Sequence, residues 1–182
     1  MDTAGNAIAV WAQSDGTRYN VWANRYVVGT GWGAATLLEN DTGDANPGPV
    51  VMDANGNAMV AWSQSDGIRT NAWAIRYVAG TGWGTATLIE NDNAGDTSIP
   101  SIAMNASGNA VAVWHQSDGT RTNIWANSYG AGSGWGTASL IETDDTGDAI
   151  YPSVVMDASG NAIATWLQDD GTWNNVMANV FK

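Results

Sequence analysis

The sequence predicts an all-β fold, a β-propeller of four-stranded antiparallel blades with about four incomplete blades in the chain. Three observations carry that expectation. Tryptophans recur at a fixed period: Trp11, Trp62, Trp114 and Trp166 lie 51, 52 and 52 residues apart, and Trp22, Trp73, Trp125 and Met177 follow in step, as do Trp32, Trp83 and Trp135. A period near 50 belongs to supersecondary units that cannot bury their apolar faces alone and must stack. Each unit also holds an Asp-Gly dipeptide between two apolar runs, at Asp15-Gly16, Asp66-Gly67, Asp118-Gly119 and Asp170-Gly171, the signal of a tight hairpin. The remaining segments are short apolar runs set off by Pro, Gly, Asn and Asp, with no place for a helix. A β-sandwich or β-solenoid would meet the same strand count.

Within a unit the hairpin comes from NAIAVWAQ, Ser14-Asp15-Gly16-Thr17 and YNVWANRYV. A two-residue type I′ turn would pair Ser14 with Thr17, so that Trp11 faces Asn20 and Ala9 faces Trp22. Ile8 and Val10 then lie on the other face with Val21 and Ala23, which makes both faces apolar and calls for a neighbouring sheet on each side. The runs after Pro49, Pro100 and Pro152 read as a first strand. A Gly-rich loop and a run such as Ala35-Thr36-Leu37-Leu38-Glu39 supply the fourth, outermost one. The units divide approximately at 1–48, 49–99, 100–151 and 152–182 of a single repeat domain. Both ends are ragged, since Met1 aligns with Met52, Met104 and Met156 and the chain stops after its fourth hairpin, so it reads as a piece of a larger ring.

The pattern GNAIAVWxQSDGTRxNVWANRY followed by GxGWGxAxLIE resembles the blade repeats of bacterial secreted propellers, a superfamily that contains lectins, sialidases and adhesion modules. Ser14-Asp15-Gly16-Thr17 followed by Trp22 is similar to the Asp-box of sialidase propellers, without the spacer residues that separate Ser, Asp and Gly in the box. The resemblance implies an extracellular or cell-surface parent protein.

Composition narrows the function. The 182 residues carry six basic against 18 acidic side chains, a formal charge of -12, with no cysteine and one His. That charge has the wrong sign for a nucleic-acid partner, and no apolar run approaches the ~20 residues of a membrane-spanning helix. Zero cysteines exclude a disulfide framework, and one His cannot build the usual zinc site. Fifteen of the 18 carboxylates fall in the Ser-Asp-Gly turns and the links between units, so the acid gathers on one rim. On that rim Asp41, Asp44, Asp92, Asp96, Asp145 and Asp148 are weak candidates for calcium, a hard ion that takes oxygen ligands. The plainer reading is a solvated surface in which Asp and Asn hydrogen-bond their own turns, with no cofactor.

The opposite rim holds Gly29-Thr30-Gly31-Trp32-Gly33 and its two counterparts. Trp32, Trp83 and Trp135 are the candidate ligand-binding residues, because an indole face stacks on sugar C–H surfaces while nearby polar groups bond hydroxyls. The same three would also serve as wedges between blades. No nucleophile beside a base stands out: His115 takes a position held by Ala12 and Ser63, and Trp173, Met177 and Tyr151 read as edge adjustments. The sequence therefore predicts a non-enzymatic module that binds glycan or mediates adhesion. A purely structural assembly repeat is the first alternative, and a glycosidase-like enzyme using paired acids such as Asp144 and Asp145 the second. An open half-ring would expose two apolar faces, so self-association as a homodimer completing a larger ring is expected.

Overall fold

A computed structural model describes residues 1–39, 41–92, 94–144 and 146–182. Among these residues there is no helix, and so none long and apolar enough to cross a membrane. Four antiparallel sheets follow one another along the chain, and none closes on itself. The first contains β1 (Ala7–Ser14), β2 (Tyr19–Val27), β3 (Gly31–Trp32) and β4 (Thr36–Leu37). The second contains β5 (Ala45–Met52), β6 (Ala58–Ser65), β7 (Thr70–Val78), β8 (Gly82–Trp83) and β9 (Thr87–Leu88). The third repeats this with β10 (Ser101–Met104), β11 (Ala110–Ser117), β12 (Thr122–Gly130), β13 (Gly134–Trp135) and β14 (Ser139–Leu140). The fourth holds β15 (Ala149–Met156), β16 (Ala162–Asp169) and β17 (Asn174–Phe181).

Two local expectations change. The hairpin turn is four residues long, so Ser14 pairs with Tyr19 and Trp11 with Trp22. The cause is the Asp side chain. Asp15 Oδ1 accepts from the backbone N–H groups of Thr17 (2.8 Å) and Arg18 (3.0 Å), and Ser14 Oγ accepts from Gly16 N–H. A carboxylate that gathers amides two and three residues ahead holds the loop open at four residues, closed by Asp15 N–H donating to Arg18 C=O. Only the glycine then needs a left-handed conformation, and Gly16 has φ +99° while Asp15 does not share it. The turns at Asp66, Asp118 and Asp170 repeat these bonds. Asn20, Asn71, Asn123 and Asn175 brace them by donating Nδ2–H to the second carboxylate oxygen. The outer strand, expected over Ala35–Glu39, is instead two short pieces, β3 and β4, both paired with β2. The Trp of the Gly-rich segment thereby lies in the strand, opposite Tyr26.

The sheets stack through one kind of seam. Residues paired directly across a sheet point to the same side, so Trp62 and Trp73 share a face with Trp83 and meet Val21, Ala23 and Leu38 of the preceding sheet. Trp114, with Trp125 and Trp135 partly buried around it, packs with Met59, Ala61, Ala72 and Ile89 in the same way. Trp166 joins Val113, Ile124, Ala126 and Ile141. Large indoles on one sheet thus fill the space above small residues on its neighbour, and Trp62 and Trp114 are fully buried.

Polar groups follow the same seam. Trp62 Nε1–H donates to Gln64 Oε1 (2.9 Å), and Gln64 Nε2–H donates across the seam to Glu39 Oε2 (2.8 Å). Trp114, Gln116 and Glu90 repeat the chain at 3.0 and 3.1 Å. Burial pushes the Glu90 carboxyl above its ordinary range, against the opposing effect of the Gln116 hydrogen bond. Asn127 and Asn179 add Nδ2–H bonds to the carbonyls of Ile89 and Ile141 in the preceding sheets. In the first sheet Trp11 and Gln13 make the same local pair at 3.1 Å, but Gln13 is exposed.

Replacing Gln64 by Ala strands the Trp62 N–H in a dry seam and removes one of the two donors to Glu39 Oε2, which keeps Asp41 N–H. The expected loss is about 1–3 kcal/mol for the group left unpaired, against a change within about 0.5 kcal/mol for Gln13→Ala on the open face; urea unfolding of the two variants compares them. The turn aspartates Asp66, Asp118 and Asp170 are held below the usual carboxylate range, chiefly by backbone N–H bonds, and Asp15 likewise by Thr17. A depressed carboxyl contributes stability that is complete above its unfolded value and lost as pH falls through the folded one. Unfolding measured against pH should therefore show stability declining below about pH 4, with a shallower decline in Asp118→Asn.

Candidate functional site

On one edge of the stack the links between sheets meet the hairpin turns. Tyr19 N–H donates to Asp44 Oδ1 (2.7 Å), Thr70 N–H to Asp96 (2.7 Å) and Thr122 N–H to Asp148 (2.8 Å). The carbonyls of the same residues accept from Ser65, Ser117 and Asp169 in the following sheets. The glycine before each Asp lies so close to the next hairpin that a Cβ at Gly43 would stand 2.0 Å from Ser65 C=O. Asp44, Asp96 and Asp148 are thus latches between successive sheets. Asp41 accepts from Thr42 N–H (2.7 Å) and Asp92 from Ala94 N–H (2.9 Å); Asp145 lies outside the described residues. Among the described residues no three His, Asp or Glu side chains converge as a metal site would require. The acids proposed for glycoside hydrolysis include Asp144, whose Oδ1 accepts from Thr146 N–H and Oγ1–H.

The three rim tryptophans share a geometry and differ in surroundings. Trp32, Trp83 and Trp135 stand edge-on to Tyr26, Tyr77 and Tyr129, with ring centroids 5.5, 5.2 and 5.4 Å apart. From the preceding sheet the Arg25 guanidinium lies over the Tyr77 ring and that of Arg76 over Tyr129, and Arg76 Nη1–H also donates to Tyr129 Oη (3.1 Å). Trp83 and Trp135 are half-buried in these seams and line clefts of about 370 and 280 Å3. Trp32 has no sheet before it and is 56% exposed.

The register of β5 on β6 slips between Pro47 and Val50, and that of β15 on β16 slips at the same place, between Ile150 and Ser153. What departs from the repeat there is one residue. Tyr151 sits in that slip with φ +55°, the only positive-φ residue other than glycine among the described residues. A tyrosine in the left-handed region costs about 1–2 kcal/mol, and such strained residues gather at functional sites. Gly48 and Ile99 occupy the same position in the preceding units. The Tyr151 ring, 71% exposed, stands perpendicular to the His115 imidazole at 6.4 Å. Together with Ser98, Ile99 and Pro152 these two line a pocket of about 360 Å3.

His115 is anchored by its backbone: its N–H donates to Ser98 Oγ (3.0 Å) and its C=O accepts from Ser98 N–H (2.8 Å). Burial lowers the imidazole pKa, while the nearby Asp148 carboxylate pulls the other way. Its Nδ1 is buried with no hydrogen-bond partner, a desolvation cost of about 1–3 kcal/mol that Ala12 and Ser63 at equivalent positions do not incur. The substitution of a histidine for small residues was the sequence signal for this site. Nothing in the sequence placed Tyr151 beside it, because the two come from different sheets and meet only where the sheets pack.

No family model matches the chain, and no curated protein matches it by sequence. Solved structures do resemble it in fold. An endo-arabinase from Bacteroides thetaiotaomicron VPI-5482 aligns over 100% of this chain and 73% of its own, at TM-score 0.54 and 15% identity. A protein of unknown function from Dyadobacter fermentans DSM 18053 aligns over 91% and 59%, at TM-score 0.61 and 11% identity. An ulvan lyase from a new polysaccharide lyase family aligns over 99% and 54%, at TM-score 0.59 and 12% identity. The chain thus spans little more than half the length of the last two. The class these likenesses and the four sheets define is an all-β protein of repeated antiparallel sheets, whose structural neighbours include carbohydrate-processing proteins. They also correct one expectation. Near-identical repeats led to a non-enzymatic module, yet two of these neighbours are enzymes, so regular sheets do not argue against catalysis.

His115 is the chain's single histidine, so its titration can be read without assignment. An NMR pH titration should give a midpoint below the ordinary imidazole value of about 6.5. Asp148→Asn should move it lower still, because the favourable charge is removed. A depressed His contributes stability that is complete above its unfolded value and lost as pH falls through the folded one.

Proposed function

We propose that this chain is a propeller-type module of a carbohydrate-processing protein, and that the pocket between His115 and Tyr151 is where it holds and acts on a saccharide. The observation that carries the reading is Tyr151, kept at φ +55° with its ring against His115 at the mouth of the pocket. The fold likeness to an endo-arabinase and a polysaccharide lyase supports carbohydrate as the substrate class. A glycosidase-like enzyme is the form we favour, acting outside the cell or at its surface, where polysaccharide is met.

The chemistry follows from the groups present. The exposed Tyr151 ring offers a flat apolar face for sugar C–H groups and a phenol for a hydroxyl. His115, neutral near pH 7 because burial disfavours its charged form, accepts a proton from the water that attacks the anomeric carbon, the Tyr151 phenol gives one to the glycosidic oxygen as its bond to that carbon breaks, and the Asp148 charge favours the imidazolium so formed.

Release of reducing ends from a panel of neutral and acidic polysaccharides tests this. We expect turnover to fall about 100-fold or more in His115→Gln and markedly in Tyr151→Phe, with both variants folded by circular dichroism. Trp32→Phe should leave the rate unchanged. Full turnover in His115→Gln, or neither turnover nor binding of any polysaccharide by the native chain, would overturn the reading.

A further inference from the structure

The two ends of the stack carry opposite halves of the seam that joins its sheets. The first sheet leaves its indole face open: Trp11 pairs with Trp22 and Tyr26 with Trp32, so all four rings point away from the second sheet. The fourth sheet leaves its aliphatic face open. Leu167 pairs with Val176, and Ile163 with both Val180 and Val155, all on the side opposite Trp166. Val155, Ile163, Val176 and Val180 are between 46% and 75% exposed. Residues at the corresponding positions of the third sheet, Ala103, Val111 and Ile124, are buried under the next sheet. The two open faces do not meet within the chain.

We propose that a second copy of this chain occupies each open face, docking head to tail so that the indole face of one copy packs on the aliphatic face of the other. Three internal seams already join this pair of surfaces by the same packing, so the occupant is specified by complementarity that the molecule itself displays. An indole face against another indole face would place bulk against bulk and leave both aliphatic faces wet. Exposed apolar side chains grouped on one face at each end are the kind of surface that marks a protein–protein contact. A contact between two different patches is heterologous: it closes into a ring when the rotation allows, or grows as an open array when it does not. Two copies joined at both seams would bring eight sheets into one closed assembly.

Heterologous docking has a distinctive test. Val176→Glu blocks only the aliphatic face and Trp32→Glu only the indole face, each at a side chain more than half exposed. The native chain should sediment as a dimer or larger assembly at micromolar concentration. Each variant alone should be monomeric, because every seam needs one face of each kind. Mixing the two should restore a 1:1 dimer through the single intact pair. Val180→Glu repeats the aliphatic block at a second site should Val176→Glu fail to fold. A monomeric native chain, a Val176→Glu or Val180→Glu variant that still self-associates, or a mixture that stays monomeric would each overturn the proposal.

Discussion

The structure depends on a sheet with two apolar faces. Hairpins such as β6 and β7 alternate side chains to both sides, and each side carries apolar residues, so no sheet is stable in water by itself. The solution repeated three times here is asymmetric. One face is built of indoles and the other of Ala, Val and Ile, so large meets small across the seam rather than within the hairpin. Trp62 pairing with Trp73 in one sheet gathers the bulk on one side, and the small and aliphatic residues of the neighbour, Val21, Ala23 and Leu38, leave room for it. Direction along the stack follows from that asymmetry.

Polar groups are arranged around the same requirement. An indole N–H placed in a dry seam needs an acceptor, and Gln64 and Gln116 provide it while passing a hydrogen bond on to Glu39 and Glu90 of the sheet before. The carboxylates on the hairpin edge have a comparable task. Asp15, Asp66, Asp118 and Asp170 each gather the amides of their own turn, and Asp44, Asp96 and Asp148 fasten the links to the preceding hairpins. Much of the acid on this edge is therefore engaged with backbone.

Repetition makes departures informative. Where Ala12, Ser63 and His115 share one position and Gly48, Ile99 and Tyr151 another, the last member of each series supplies a titratable ring. The two come from different sheets. Their proximity follows from the seam between the third and fourth sheets, with Tyr151 exposed and held in a left-handed backbone. A site of this kind belongs to no single repeat.

The sequence by itself determined the repeat, the all-β class, the hairpins and the acidic edge, because these rest on periodicity, turn residues and the position of charge along the chain. It also marked His115 as an exception without giving it a use. Tertiary structure decided the rest. The hairpin register depended on whether the Asp carboxylate or the backbone conformation of Asp-Gly governed the turn, and side-chain hydrogen bonding won. Burial of Trp83 and Trp135, beside exposure of Trp32 in the same local structure, depended on whether a sheet stood in front. The meeting of His115 with Tyr151 depended on two sheets packing in one order, a long-range contact that no local pattern encodes.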